Sequence, residues 1–274
     1  MIDLHTHTTA SDGRCTPEEL VDHAARAGVT VLGLTDHDTV AGAARTAAAC
    51  ARAGIEFVAG IEITAVADDI DVHVLGYFID ADSASLESFL SEQRQRRLDR
   101  VRLIVKRLAA HGIVLDAEAI VAPAIANPSI AIGRPWIARA LIAGRHVADT
   151  TEAFEKWLAT GRAAFVPRMG ARPEEVFARI HQAGGIASLA HPALLGHDEW
   201  IPGFAAAGLD ALEAYHSDHD ADATARYLAT AEHLGLAVSG GSDFHGDESH
   251  GPGGPGSVAL PRDRFDQLKA IGVR

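Results

Sequence analysis

Short apolar runs that alternate with helical patterns set the first limit on how this chain can fold. The runs 29–35 and 55–63 each follow a helical pattern that ends at a glycine, Gly28 and Gly54 respectively. Strands that alternate with helices predict a parallel sheet, and this many units in one domain predict closure into an α/β barrel. The predicted strands are residues 2–7, 29–35, 55–63, 71–79, 186–190, 209–215, 236–240 and 257–260.

The middle of the chain breaks this alternation. Helical patterns follow one another there without a clear strand, beginning with a long Arg-rich amphipathic helix at 84–110. A further helix is predicted at 151–160. We therefore predict a barrel domain of residues 1–80 and 168–274, interrupted by a helical insertion subdomain of residues 81–167.

Length and charge exclude several classes of protein. A chain of 274 residues can bury one large core, and its apolar runs fall short of a membrane span. The net charge of −13 argues against binding to duplex nucleic acid. We expect no signal peptide, and Cys15 and Cys50 form no disulfide framework. A cytoplasmic protein with reduced thiols and no membrane partner is the simplest expectation.

Several predicted strands end in histidine or aspartate. His5 and His7 close the first strand, where residues i and i+2 point to the same face and can reach one ion. Asp243 and His245 form a second such pair after the strand at 236–240. An HxH pair alone is weak evidence, because polar residues on a strand face often produce one by chance.

Glu62 is harder to explain as an ordinary structural residue. It lies inside the apolar strand 55–63, and a buried lone carboxylate is costly unless it pairs or binds a metal. The other positions have alternatives. Asp12 can belong to an ordinary Asp-Gly turn, Asp36 can cap a helix, and His73 can lie on an exposed edge strand.

Taken together, the candidate ligands predict a metal site, because they all lie at or near strand ends. In such barrels the chemistry is located on the loops at the carboxyl ends of the strands. His216 follows a strand and can either face the site or lie in a solvated loop, and the same holds for His219. The candidate metal ligands are His5, His7, Asp12, His37, Glu62, His73, His191, Asp243 and His245.

This set of motifs resembles the polymerase and histidinol phosphatase (PHP) family. The matching segments are the HxH strand, Thr-Asp-His at 35–37, the Glu after Gly-Ile at 62, Ala-His-Pro at 190–192 and Ser-Asp-Phe-His at 242–245. Within the family the chain is most similar to the stand-alone nucleoside 3′,5′-bisphosphate phosphatases. That group carries Gly-Arg-Pro-His-Ile-Ala in a helical insertion, and Trp136 replaces the histidine here.

The resemblance implies a distorted (β/α)7 barrel of the PHP type with three divalent metal ions. Manganese is the expected metal, with iron or zinc as alternatives. Asp36 would orient a ligand from a second shell. The implied ligand sets are His5, His7, Glu62 and Asp243 for the first ion, Glu62, His73 and His191 for the second, and Asp12, His37 and His245 for the third.

The implied activity is a phosphoesterase that removes the 3′-phosphate from a nucleoside 3′,5′-bisphosphate such as pAp. A hydroxide that bridges two metal ions would attack the phosphorus, so no protein nucleophile is needed. Alternatives are a cyclic-phosphate phosphodiesterase or a 5′-to-3′ exonuclease on short RNA; a histidinol phosphate phosphatase and a non-catalytic PHP domain have less support. The predicted contacts to the phosphorylated substrate are Arg134, Arg97, Arg168 and His219.

Overall fold

The structure, a computed structural model, describes residues 1–127, 130, 132–246 and 253–272. The chain divides into two compact units. The predicted domain boundaries, after residues 80 and 167, fall earlier than the unit boundaries after Phe89 and Gly170. Unit 1 comprises Met1–Ala67, Asp71–Phe89 and Ala171–Arg274, and unit 2 comprises Asp68–Ile70 and Leu90–Gly170.

Unit 1 contains a seven-stranded sheet whose strands neighbour one another in chain order. The first and last strands approach each other, because Leu4 N donates to Gly240 O at 3.2 Å and Thr6 bridges to Phe244. The sheet is a nearly closed barrel, which confirms the predicted fold class. The strands are β1 Ile2–Asp3, β2 Val31–Leu34, β3 Glu56–Ala67, β4 Ile70–Tyr77, β5 Ile186–Leu189, β6 Ala211–His216 and β7 Ala237–Gly241.

One strand departs from the parallel arrangement. β1, β2 and β3 are parallel, as are β5, β6 and β7, but β4 runs antiparallel to β5. Asp68 and Asp69 alone separate β3 from β4, and both have positive φ, 48° and 65°. Such a two-residue link makes a hairpin, whereas a parallel crossover needs a dozen or more residues. The predicted parallel arrangement therefore does not extend to β4.

The helices follow capping signals and apolar periodicity. Thr16 and Glu19 form a capping box at the start of α1, and Gly28 ends that helix with a φ of 77°. Leu20 of this helix is fully buried in a cluster with Leu32 and Leu34 of β2. Burial of its side chain contributes roughly 2 kcal/mol to stability. The helices are α1 Pro17–Ala27, α2 Ala43–Ala53, α3 Ala84–Ala110, α4 Ala117–Ala126, α5 Arg134–Ala143, α6 Thr150–Ala153, α7 Pro173–Gln182, α8 Pro192–Leu195, α9 Ile201–Ala206, α10 Ala221–Leu234 and α11 Arg262–Gly272.

Unit 2 is built from most of α3 together with α4, α5 and α6, and it has a core of its own. Leu108, Ile137 and Leu158 are fully buried in this core. The predicted helix at 151–160 is α6 continued by a π-helical turn, Phe154–Leu158. Helix α4 was not predicted from the sequence, because its mostly apolar residues and internal Pro123 hide a helical period.

The C-terminal part of the barrel differs from the prediction in one respect. Residues 257–260 form no strand, and Leu260 N donates a single bond of 2.9 Å to Ile2 O. The Gly-, Pro- and Asp-rich segment 246–256, expected to be a loop, lies mostly outside the described residues. Among the residues described, no helix is long and apolar enough to cross a membrane.

Candidate metal centre

Two glycines let the HxH segment lie tightly between its neighbours. A methyl group on Gly241 would fall 2.3 Å from His5 N, and one on Gly33 would fall 2.7 Å from Leu4 O. The close approach allows Asp243 N to donate to His5 O at 2.9 Å. The segment that carries Asp243 therefore runs beside the segment that carries His5. The pairs His5–His7 and Asp243–His245 consequently lie next to each other.

Asp3, which the sequence analysis did not single out, holds this junction together. Its buried carboxylate accepts bonds from Ser242 Oγ at 2.6 Å, Ser242 N at 2.9 Å and Gly256 N at 2.7 Å. Burial raises the pKa of Asp3 despite these bonds. Asp3 fixes the residue just before Asp243, so it sets where that candidate ligand lies.

The first group of candidate ligands consists of His5, His7, Glu62 and Asp243, all buried. His5 Nε2 lies 3.2 Å from both Glu62 Oε2 and Asp243 Oδ1. His7 Nε2 lies 3.3 Å and 3.1 Å from the same two oxygens. Four ligand atoms of the two types that bind divalent transition metals thus surround one point.

Glu62 connects this group to a second one through its other oxygen. Glu62 Oε1 lies 2.7 Å from His73 Nδ1 and 3.2 Å from His191 Nε2. His37 Nδ1 also lies 3.2 Å from Oε2. The carboxylate therefore faces imidazoles on both sides, which is the arrangement of a ligand that bridges two ions.

A third group forms around Asp12, on the most exposed side of the cluster. Asp12 Oδ1 lies 3.4 Å from His245 Nε2 and 4.0 Å from His7 Nδ1, and Oδ2 lies 3.8 Å from His37 Nε2. The Asp12 side chain is 52% exposed, whereas that of His7 is fully buried. All nine candidate ligands thus converge around Glu62 in three overlapping groups.

The electrostatics of the cluster are those of a site built for added positive charge. Burial alone would raise the pKa of Glu62, but His37, His73 and His5 hold it well below its usual range. Burial alone would lower the pKa of His7, but Asp243 and Glu62 raise it to about 9. Buried carboxylates therefore stay ionised, and they retain protons on neighbouring imidazoles to offset their charge.

Several buried histidine nitrogens of the cluster lack a hydrogen bond, which is expected if they bind metal ions. His7 Nδ1 and His191 Nδ1 are buried and make no hydrogen bond. His7 Nε2 lies close to Asp243 and Glu62 but makes no hydrogen bond of normal geometry with either. A buried ring nitrogen without a partner costs roughly 1–3 kcal/mol. Coordination would satisfy His7 Nε2, and neutral imidazole with carboxylate oxygen is a ligand set that suits Mn, Fe and Zn.

Asp36, predicted to orient a ligand, contacts the turn that precedes the candidate ligand Asp12. Its carboxylate accepts bonds from Thr8 N at 2.7 Å, Thr8 Oγ1 at 2.7 Å and Ser11 Oγ at 2.8 Å. It therefore braces the turn that leads to Asp12, and its bonds reach no candidate imidazole.

Glu213 is the main residue of the centre that the sequence analysis missed. It is fully buried on β6, with Oε1 3.0 Å from His5 Nδ1 and Oε2 accepting a bond of 2.8 Å from His191 N. The signal was present, because Glu213 is a lone carboxylate in an apolar strand, just as Glu62 is. His216, left open above, is buried with Nε2 3.5 Å from Asp243 Oδ2 and so faces the cluster.

The residues predicted to contact substrate have other partners in the structure. His219 Nδ1 donates to Ala214 O at 3.0 Å, and Ala193 N donates to His219 Nε2 at 3.4 Å. In unit 2, Arg134 Nη1 donates to Leu158 O at 3.2 Å. Arg97 and Arg168 are partly buried. Substrate binding by these four residues stays a prediction, and for His219 it requires one of the two bonds to open.

Trp136, at the position where the resemblance expects histidine, packs against the core of unit 2. The guanidinium of Arg139 lies over its ring, with Cζ 5.1 Å from the ring centroid. A Trp–Arg pair of this kind is a stable aromatic surface feature, worth about 0.5–1 kcal/mol when exposed.

Comparison with known proteins identifies what this chain is similar to. The family model described as the PHP domain matches residues 3–121. A 3′,5′-nucleoside bisphosphate phosphatase of Chromobacterium violaceum is 36% identical over 249 residues, 89% of this chain and 87% of that protein. The 5′-3′ exoribonuclease Rnm of Escherichia coli is 34% identical over 250 residues, 89% of this chain and 84% of that protein.

A solved structure agrees with these relatives. It is that of a Bifidobacterium adolescentis protein described as a metal-dependent phosphoesterase, and it superposes with a TM-score of 0.76. The two sequences are 32% identical, and the match covers 99% of this chain and 96% of that one.

Proposed function

This chain belongs to the PHP family and is a metal-dependent phosphoesterase; we propose that it removes the 3′-phosphate from nucleoside 3′,5′-bisphosphates. The observation that carries the proposal is the convergence of nine ligand-type side chains on Glu62. The substrate class rests on the similarity to the Chromobacterium phosphatase over 89% of the chain. The enzyme class would accordingly be phosphoric monoester hydrolase.

We assign the three groups of side chains to three divalent ions, with manganese as the expected metal. The two oxygens of Glu62 support the sharing of this residue between the first two ions, because each oxygen lies within 3.3 Å of imidazole nitrogens. When bound, such ions supply Lewis-acid charge for phosphate oxygens and lower the pKa of water to near neutrality.

The protein supplies the position and protonation state of these groups. Glu62 and Asp243 are held ionised by the surrounding imidazoles, so both are ready to ligate at neutral pH. Neither cysteine is suited to act as a nucleophile, since burial raises the pKa of Cys50 to about 11 and also raises that of Cys15. The chemistry is therefore assigned to water.

Exposure indicates the side from which a phosphate approaches. The side chains of His5 and Glu62 are at most 1% exposed, while those of His37 and Asp12 are 18% and 52% exposed. A phosphate monoester would thus reach the cluster beside His37 and Asp12, and the buried side would exclude water.

A second candidate function is 5′-to-3′ hydrolysis of short RNA. It is favoured by the Escherichia coli exoribonuclease, which resembles this chain over the same 89% of its length. Both activities cleave a phosphate ester next to a 5′-phosphorylated nucleotide, so one metal cluster can serve either. The net charge of −13 favours a small substrate over a long polyanion.

The experiment is a comparison of substrates under identical conditions. Metal-free protein is reconstituted with Mn²⁺ and given pAp, a 2′,3′-cyclic nucleotide and a 5′-phosphorylated RNA of four or five nucleotides. The proposal expects the highest kcat/KM with pAp, and an Asp243→Asn variant serves as the inactive control. A higher kcat/KM with RNA would favour the second candidate function. If Mn²⁺ is bound and none of the three substrates is hydrolysed, both candidate functions would be refuted.

A further inference from the structure

Glu213 touches two candidate ligands of different metal positions, and the proposed function does not use it. Its Oε1 lies 3.0 Å from His5 Nδ1, and its Oε2 accepts a bond of 2.8 Å from His191 N. His5 belongs to the first group around Glu62, and His191 to the second. Glu213 is fully buried, so no water competes for either contact.

We propose that Glu213 is a positioning residue that holds His5 and His191 ready for metal binding at two positions at once. This inference rests on the proposed function only in taking His5 and His191 as metal ligands. The contact with His5 restrains which ring nitrogen carries a proton, and the contact with His191 restrains the path of the backbone.

The contact with His5 fixes which of its nitrogens is free to ligate. Nε2 faces the cluster, 3.2 Å from Glu62 Oε2, while Nδ1 faces Glu213. An ionised carboxylate can only accept, so Glu213 holds a proton on Nδ1. Nε2, which faces Glu62 and Asp243, is then the nitrogen whose lone pair would be given to a metal ion. Such carboxylate–histidine pairs orient metal ligands, and their loss typically lowers metal affinity about 10- to 100-fold.

The contact with His191 holds a strained backbone. His191 has φ 26° and ψ 60°, which residues with a side chain rarely adopt, and Pro192 follows it. The bond from His191 N to Glu213 is therefore one restraint on this turn after β5. The turn in turn places His191 Nε2 3.2 Å from Glu62 Oε1.

Glu213→Gln separates positioning from packing, because the two side chains have nearly the same shape. A glutamine has one acceptor oxygen, whereas His5 Nδ1 and His191 N both need one. Whichever way the amide is turned, one donor faces an NH2 group. If that donor is His5, the ring must move its proton to Nε2, which then cannot ligate.

The test measures Mn²⁺ binding to metal-free protein by the EPR signal of free Mn²⁺, together with the melting temperature without metal. The matched control is Ser188→Ala, which removes a buried bond of 2.7 Å to Ser239 in the same barrel, and Ser239 is not a candidate ligand. We expect Glu213→Gln to weaken Mn²⁺ binding about 10- to 100-fold, at more than one position, and Ser188→Ala to leave it unchanged.

Wild-type Mn²⁺ affinity in a folded Glu213→Gln variant would overturn the proposal, and so would an equal loss in Ser188→Ala. If Glu213→Gln does not fold, Glu213→Asp is measured instead. Aspartate keeps the charge but is one methylene too short to reach both donors, so its affinity should still fall. A wild-type protein that binds Mn²⁺ but releases no phosphate would refute the proposed function while leaving this test intact.

Discussion

The pKa of His7 makes metal binding by the cluster strongly dependent on pH. Burial alone would lower that pKa, but Asp243 and Glu62 raise it to about 9 in the metal-free protein. A protonated imidazole has no lone pair for a cation, so binding must expel the proton. Between pH 9 and pH 7 the affinity for Mn²⁺ should fall by up to about 100-fold.

The stability of the metal-free protein should change in the opposite direction. The folded-state pKa of His7, about 9, lies above the ordinary value of 6.5. The contribution of protonated His7 to the free energy of unfolding is therefore fully present below pH 6.5 and is lost as the pH rises through 9. A pKa difference of this size corresponds to up to about 3 kcal/mol, and bound Mn²⁺ should remove this dependence because it replaces the proton.

Calorimetric titration with Mn²⁺ at pH 7, 8 and 9 checks both statements. Paired buffers of different ionisation enthalpy give the number of protons released, and thermal melts without metal give the stability. His7→Asn should abolish the His7-linked release, whereas His23→Asn, an exposed position on α1, should behave as wild type. Equal Mn²⁺ affinity at pH 7 and pH 9, with no proton released, would show that this reasoning is wrong.

Three further substitutions separate the roles assigned above. Asp12→Asn should lower kcat with little change in melting temperature, because this ligand is half-exposed; an unchanged kcat would remove Asp12 from the centre. Asp36→Ala leaves Thr8 N and Oγ1 without their partner and should cost about 1–3 kcal/mol in urea unfolding, together with a loss of activity. Arg134→Ala should raise KM for pAp if the predicted substrate contact exists, whereas a lower melting temperature at constant KM would assign it only its bond to Leu158 O.

Strand ends and ligand chemistry coincide in this chain, so the sequence could point to side chains that the structure places close together around Glu62. His5 and His7 share a face by the period of a strand, and Glu62 was recognisable as a costly buried charge. Glu213, which contacts His5 and His191, was not recognised from the sequence. The same reasoning about buried charge applies to Glu213, but its strand was considered only as part of the barrel.

Other features depended on contacts that no local pattern reveals. The antiparallel β4 follows from a two-residue link with positive φ at Asp68 and Asp69, which reads in the sequence only as a polar stretch. The role of Asp36 depends on a turn at Thr8 that lies 28 residues away in the chain. The partners of Arg134 depend on how α5 packs within unit 2, so a helical pattern alone could not separate a packed arginine from a phosphate-binding one.

We propose that the side chains around Glu62 form a metal-dependent phosphatase centre specific for the 3′-phosphate. The most direct test follows pAp by ³¹P NMR with the protein before and after reconstitution with Mn²⁺. The account predicts equal amounts of 5′-AMP and inorganic phosphate with Mn²⁺, and intact pAp without it. Intact pAp in the presence of protein with Mn²⁺ demonstrably bound, or release of the 5′-phosphate instead, would contradict it.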